Sequence, residues 1–232
     1  MIKNKFLVLA KEGINSFITE MIDFNGNNLT CVRTDICVFE KLNFSLTDGQ
    51  FLFLHGPNGS GKSSLLRMMA GLLQPITGSI YWNGESISKS WDEFREEIIY
   101  VGHQNPVKRN LTVEENLLFW VILIGEHREK ESVDKALSIF ELYHLRSTPS
   151  RFLSAGQTRK LYLARLVASK ASVWLLDEPF NSLDQSSINV LQSIIDSHIK
   201  DGGAAIMATH DKISKSRNYI DLKQFAPSSE TP

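Results

Sequence analysis

Eight consecutive residues constrain this chain more than any others: Gly56-Pro57-Asn58-Gly59-Ser60-Gly61-Lys62-Ser63. They fit G-x-x-x-x-G-K-[ST] in the setting that pattern requires. The apolar run Phe51-Leu52-Phe53-Leu54 precedes them as a short buried strand, and Ser64-Leu65-Leu66-Arg67-Met68-Met69-Ala70 follows as a helical run. The glycines let the backbone curl until successive N–H groups converge on a polyphosphate. The helix turns its positive N-terminal end toward the same anion. Lys62 is placed to reach the outer phosphates, and the Ser63 hydroxyl to complete a magnesium shell. The segment from Gly56 to Ser64 is thus a candidate site for a nucleoside triphosphate and Mg2+.

A second anchor is Val173-Trp174-Leu175-Leu176-Asp177-Glu178-Pro179. An apolar strand here delivers two adjacent carboxylates at its carboxyl end. Asp177 suits magnesium, directly or through water, because hard cations take oxygen ligands. Glu178 can polarise an attacking water. Alone, Asp-Glu after a strand is usually a solvated turn; beside a phosphate loop it becomes informative. The third anchor, Leu153-Ser154-Ala155-Gly156-Gln157, opens a helix: Ser154 is a good N-cap, and Gly156 permits close backbone approach.

Between these anchors the chain alternates strands and helices. Strands are expected at residues 29–33, 36–39, 42–46, 79–82, 98–101, 173–176 and 204–208, with turns at Thr34-Asp35, Asp48-Gly49 and Asn83-Gly84. Thr112 followed by Glu114-Glu115 marks an N-cap, and residues 133–140 continue in helical period. Residues 105–150 therefore read as a mostly helical lobe inserted into an α/β core. Helices are expected from Ser154 onward and over residues 187–199. Such alternation implies a largely parallel sheet with its ligand at the carboxyl ends of the strands. Residues 1–25 are open between a short amphipathic helix and a loosely held extension, closed by the turn-rich Asn25-Gly26-Asn27-Asn28, and Met21 is a second possible start. The core domain is expected over residues 26–225, with 226–232 a disordered tail.

At 232 residues and 42% apolar content the chain can bury a substantial core, and a formal net charge of −1 without a basic block gives no reason to expect nucleic acid. Cys31 and Cys37 form no C-x-x-C motif and fit reduced thiols. The longest apolar run, residues 117–124, is far short of the roughly 20 residues that span a bilayer. Lys11 and Glu12 break the N-terminal apolar stretch too early for a signal peptide. The expectation is a cytoplasmic chain that meets a membrane only through a partner.

The order of motifs then carries a resemblance. One phosphate loop, Gln104 after a short strand, L-S-x-G-Q at 153–157, D-E-P at 177–179, Ser182-Leu183-Asp184 and Ala208-Thr209-His210 resemble the motif set of ATP-binding cassette (ABC) ATPases. The resemblance implies an α/β nucleotide-binding fold: a RecA-like, mostly parallel core, an antiparallel β subdomain and the inserted helical subdomain. It also implies a head-to-tail homodimer. Each ATP then lies between the phosphate loop of one copy and Ser154, Gly156 and Gln157 of the other. By the same resemblance Gln104 meets magnesium or water, His210 contacts the γ-phosphate, and Asp184 couples the two sites. His55, His127, His144 and His198 are expected to be structural or solvated. The family usually stacks an aromatic residue on adenine, but Cys31-Val32-Arg33-Thr34 has none, leaving Val32 or the planar Arg33 to cover the base. Weak nucleobase selectivity is therefore expected.

Finer details narrow the resemblance. Tyr-x-Gly-His-Gln at 100–104, the Ala155 form of the signature with Thr158-Arg159-Lys160, and Asp177-Glu178-Pro179-Phe180 are similar to the cytochrome c maturation subfamily, CcmA. That subfamily implies peripheral attachment to the cytoplasmic face of a bacterial inner membrane. Its membrane partner is CcmB, with CcmC and CcmD in the same system. Its reaction is ATP hydrolysis linked to haem export or to release of the haem-loaded chaperone CcmE. The chain carries no Cys-x-x-Cys-His and no paired axial ligands, so no haem site is legible. The alternative is the ATPase of another small exporter, such as a lipoprotein-releasing system. A P-loop kinase would lack the signature and the switch histidine.

Overall fold

The computed structural model describes residues 21–123, 130–209 and 218–227. Five strands form a wholly parallel sheet in the order β6-β7-β8-β3-β9. They are β3 (Phe51–His55), β6 (Ile98–Val101), β7 (Val173–Asp177), β8 (Ala204–Ala208) and β9 (Tyr219–Asp221). Every residue of β7 and β8 is buried, as expected for strands covered on both faces. Alternate side chains feed two cores. Leu52, Leu54, Val173, Leu175 and Ile206 join one, whereas Phe53, Trp174, Leu176 and Met207 join the other.

The first core is closed by a four-stranded antiparallel sheet, ordered β2-β1-β4-β5, and by helix α1 (Lys62–Met69). Its strands are β1 (Asp23–Arg33), β2 (Ile36–Thr47), β4 (Thr77–Trp82) and β5 (Glu85–Ser86). The β1–β2 hairpin turns through Thr34 and Asp35, both at positive φ (48° and 64°), as a two-residue turn matched to strand twist requires. The expected strands at 36–39 and 42–46 are one continuous strand, with Lys41 at φ 55° marking the irregularity between them.

The turn-rich break expected at Asn25–Asn28 is instead part of β1: Asn25 and Gly26 pair with both β2 and β4, Asn27 pairs with β4, and Asn28, at φ 54°, lies in a register shift. Long-range packing overrides the local turn chemistry. Phe24, fully buried, meets Phe44, Trp82 and Phe94 in one aromatic cluster, and Ile22 donates its N–H to Asp48 Oδ1 at 3.0 Å. Gly26 is required by crowding, since a Cβ there would stand 2.3 Å from the Phe44 ring. The amphipathic-helix reading of the N-terminus falls on residues outside the described ones, apart from Met21 and Ile22. Elements with no mark in the sequence include α2 (Trp91–Glu97), which buries only Phe94, the two-residue strand β5 and the edge strand β9.

The second core packs α3 (Val113–Leu123), α4 (Lys130–Ile139), α5 (Ala155–Ala168) and α6 (Gln185–Lys200) against the other sheet face. Thr112 and Glu115 exchange side-chain-to-backbone hydrogen bonds at the start of α3, a reciprocal cap. Of the apolar run, Leu117, Trp120 and Val121 are buried, while Ile122 and Leu123 are exposed. Fully buried Asn116 holds the lobe to its flanking segments: its amide nitrogen faces the Ser150 hydroxyl at 2.9 Å and the Lys108 carbonyl at 3.0 Å, and its oxygen accepts the Lys108 N–H at 2.8 Å. Asn116→Leu leaves those groups unpaired and is expected to cost about 1–3 kcal/mol. A thermal midpoint unchanged from wild type would show the network to be dispensable. His198 is structural, stacked on Trp174 at 3.7 Å between ring centroids, with burial lowering its pKa.

Candidate active site

Four parallel strands, β3, β6, β7 and β8, end on one side of the sheet, and the loops leaving them converge there. Gly61, at φ 98°, begins α1, whose first turn has no side-chain cap. Its N–H groups are thus available to an anion. Lys62 is almost fully buried, and its ammonium donates to the Gly56 carbonyl at 2.7 Å and the Pro57 carbonyl at 3.0 Å. Burial lowers its pKa, and the nearby Glu178 and Asp177 carboxylates oppose that shift. The Ser60 hydroxyl is buried in the loop without a hydrogen-bond partner among the described residues. An uncapped helix end, a buried cation and an unsatisfied hydroxyl form a cradle suited to a polyphosphate.

A cavity of about 390 Å³ lies over this cradle, lined by Arg33, Asn58, Lys62, Ser63, Ser64 and Glu178 among others. A slightly larger one, about 430 Å³, lies beside β4 and α2. Glu85, Glu93, Glu96 and Glu97 line it, and that lining repels a polyphosphate. Arg33 reaches the first cavity from the end of β1, and Val38 of β2 joins it there; Val32, the alternative expected from sequence, is not among the lining residues.

Strand β7 delivers the carboxylates as expected. Asp177 is 3% exposed; burial raises its pKa, countered by a hydrogen bond from Ser63 and a weaker one from the Tyr100 hydroxyl at 3.5 Å. Tyr100, which the sequence reading used only as a subfamily mark, thereby becomes a supporting residue. Ser63 and Asp177 supply two hard oxygens to one point, a donor set that fits Mg2+ completed by phosphate and water oxygens. No cluster of three or more acidic, histidine or cysteine side chains exists among the described residues, so nothing suggests an all-protein cage.

Glu178 holds an uncommon left-handed conformation, φ 48°, of the kind that costs about 1–3 kcal/mol and persists only where surroundings enforce it. Here its N–H donates to Ala208 O at 3.1 Å, and its carbonyl accepts from Arg159 at 3.0 Å. Its carboxylate accepts from the Asn181 amide at 2.7 Å, with His103 Nδ1 4.0 Å away. Arg159 was not recognised as a site residue from sequence, because a cation beside Lys160 in a helix reads as solvated surface.

The L-S-x-G-Q stretch is a complete capping box. Ser154 Oγ accepts from the Gln157 N–H, and Gln157 Oε1 accepts from the Ser154 N–H at 2.9 Å. Among the described residues a Cβ added to Gly156 would meet only Ser182 O, at 3.5 Å, so their packing does not itself demand glycine there. Asp184 caps α6, accepting from the Ser187 N–H and the Ser186 and Ser187 hydroxyls. The Ser187 bonds hold its carboxyl well below the usual range. Gln104 is exposed in the loop after β6 and is not among the side chains lining the cavity. His210 lies outside the described residues.

Residues 39–181 match the protein family described as ABC transporter. The chain belongs to that family, and its parallel sheet, antiparallel sheet and helical lobe make it an ABC-type ATPase. More particularly, it is 45% identical to the cytochrome c biogenesis ATP-binding export protein CcmA of Paramagnetospirillum magneticum, over 90% of this chain and 98% of that one. It is 43% identical to the CcmA of Rhodospirillum rubrum, over 88% of this chain and 87% of that one. Among solved structures it resembles an ABC transporter ATP-binding protein from Pyrococcus furiosus, with TM-score 0.76, 26% identity, and 88% and 100% of the two chains covered. It shares its fold with an ATP-binding cassette solved as a dimer with ADP and Pi, with TM-score 0.72, 24% identity, and 81% and 88% covered. No helix among the described residues is long and apolar enough to cross a membrane.

Proposed function

We propose that this chain is the ATP-hydrolysing subunit of a CcmAB-type complex in c-type cytochrome biogenesis. The observation that carries the hydrolytic part is the convergence of Glu178, Lys62 and Ser63 on one cavity at the carboxyl ends of parallel strands. Lys62 and the α1 N-terminus would bind the outer phosphates, their fixed positive charge meeting the charge that develops in phosphoryl transfer. Ser63 and Asp177, with Gln104 from the neighbouring loop, would hold Mg2+, which neutralises phosphate charge when bound. Glu178 would accept a hydrogen bond from the attacking water and draw off its proton. His210 would contact the γ-phosphate.

The open Gly156 and the capped but solvent-facing start of α5 support a composite site. In it Ser154, Gly156 and Gln157 of a second copy approach the phosphates, and Asp184 relays between the two sites. The cavity rim supports Arg33 as the residue over the base. Because a guanidinium stacks on any purine, ATP and GTP are expected to bind within tenfold, or about 1.4 kcal/mol, of each other.

The name these relatives share supports the biological assignment. The membrane partner would be a CcmB-like protein, with CcmC-, CcmD- and CcmE-like proteins in the same system, and the chain would lie on the cytoplasmic face of the inner membrane. The test is deletion of the gene: c-type cytochromes are expected to lose covalent haem, scored by haem staining. Normally haem-stained cytochromes in the deletion would exclude this pathway. Co-purification from membranes with a lipoprotein-releasing subunit in place of a CcmB-like one would favour the alternative exporter.

A further inference from the structure

Arg159 is a buried cation that the proposed chemistry leaves unused. It is 2% exposed, fifth in α5, and spends its donors on two loops. Nη2 donates to Glu178 O at 3.0 Å, and Nε to Pro179 O at 3.3 Å. Nη1 donates at 3.0 Å to both Gly102 O and Asn105 Oδ1. The first loop leaves β7 with Glu178, and the second leaves β6 with Gln104. Tyr162, one turn further along α5, adds a hydrogen bond to Tyr100 O and accepts the Gly102 N–H at 3.3 Å. One helix face therefore holds both loops.

Stability alone does not call for a cation here, since an apolar side chain of similar volume serves a core as well or better. Bridging two separate peptide segments does require a planar fork with several fixed donors, which lysine lacks. The Glu178 peptide is also held in a strained conformation, φ 48°. Its N–H is tied to β8, and its carbonyl accepts the Asn181 N–H of its own loop at 3.3 Å and, more closely, the Arg159 guanidinium at 3.0 Å from outside it.

We propose that Arg159 is a positioning residue that couples the N-terminal end of α5 to the Glu178 peptide, braced against the loop that leaves β6. Through it, a phosphate engaging Ser154 and Gly156 sets the hydrolytic carboxylate. This rests on the reading of Glu178 as the residue that polarises water. A shift of α5 displaces the Glu178, Pro179 and Gly102 carbonyls together, because the guanidinium is rigid and buried. The arrangement makes hydrolysis sensitive to the signature helix of the same chain that carries Glu178.

The test compares Arg159→Lys, Glu178→Gln and the double variant in the full-length chain. The readouts are ATP affinity, turnover and thermal midpoint. Arg159→Lys is expected to lower kcat about tenfold to a hundredfold, the scale of a small misplacement of a reacting group. ATP affinity should stay within twofold of wild type. The double variant should turn over no more slowly than Glu178→Gln, since Arg159 acts only through that residue. Arg159→Lys turnover within twofold of wild type overturns the proposal while leaving Glu178 in place. A further tenfold loss in the double variant also overturns it. Loss of ATP binding together with a much lower midpoint assigns Arg159 to the fold alone. Normal turnover in Glu178→Gln overturns both the base assignment and the coupling built on it.

Discussion

Glu178→Gln is expected to bind ATP at least as tightly as wild type while hydrolysing it about 10²–10⁴-fold more slowly, the usual scale for losing a positioned base. That range corresponds to about 2.7–5.4 kcal/mol of transition-state stabilisation at 1.36 kcal/mol per tenfold. The substitution isolates basicity because the geometry is held by groups it does not touch. The backbone is pinned by Ala208 O and Arg159, and a glutamine oxygen can still accept the Asn181 amide that now meets Glu178 Oε2 at 2.7 Å. Removing a negative charge from a cavity that also contains Lys62 favours a bound polyphosphate, so the sign on binding is neutral or positive. Equilibrium nucleotide binding and steady-state phosphate release read the two effects separately. A variant that keeps wild-type turnover would remove Glu178 from the chemistry.

The parallel core was legible because its strands are buried on both faces and so read as unbroken apolar runs. Residues 204–208 and 173–176 are such runs, the latter extending in the structure through Asp177. The phosphate loop and the Ser154 N-cap were legible because their physics is local, each needing only a few consecutive residues; the reciprocal bond from Gln157 emerges only in the structure. What the sequence hid is non-local. Asn25–Asn28 has every local mark of a turn, yet two neighbouring strands and the Phe24 cluster make it a strand. Helix α2 commits a single buried residue, Phe94, to the core, too few to leave a periodic signal. Arg159 was hidden for the same reason. Its partners lie in loops about 20 and about 55 residues away in sequence, and nothing adjacent to it in the chain marks it as buried. The site was thus readable wherever a motif is continuous, and unreadable wherever one side chain fastens distant loops together.

Gly156→Asp is expected to separate stability from activity in opposite directions. Gly156 occupies the second position of α5, after Ser154 and Ala155, where a carboxylate is favoured by the helix dipole by about 0.3–1 kcal/mol. Replacing a helical glycine also removes backbone entropy from the unfolded chain, worth roughly 0.4–1 kcal/mol. Among the described residues the nearest atom to an added Cβ is Ser182 O, at ordinary contact distance, so their packing can accept the change. The thermal midpoint of the isolated chain should therefore hold or rise, and ATP should still bind at Lys62. Hydrolysis should nevertheless fail. If the start of α5 meets the phosphates of a second copy, the new carboxylate faces a like charge. Unit charges about 4 Å apart at a surface-like dielectric repel by about 4 kcal/mol. At 1.4 kcal/mol per tenfold, that is a loss approaching a thousandfold. Gly156→Ala adds the methyl without the charge and should lose far less, which distinguishes repulsion from crowding. Nucleotide-dependent dimerisation, followed by light scattering in the Glu178→Gln background, should disappear with the aspartate and survive with the alanine. If Gly156→Asp hydrolysed ATP normally, α5 would not face the phosphates of a second copy, and the site would have to be complete within one chain.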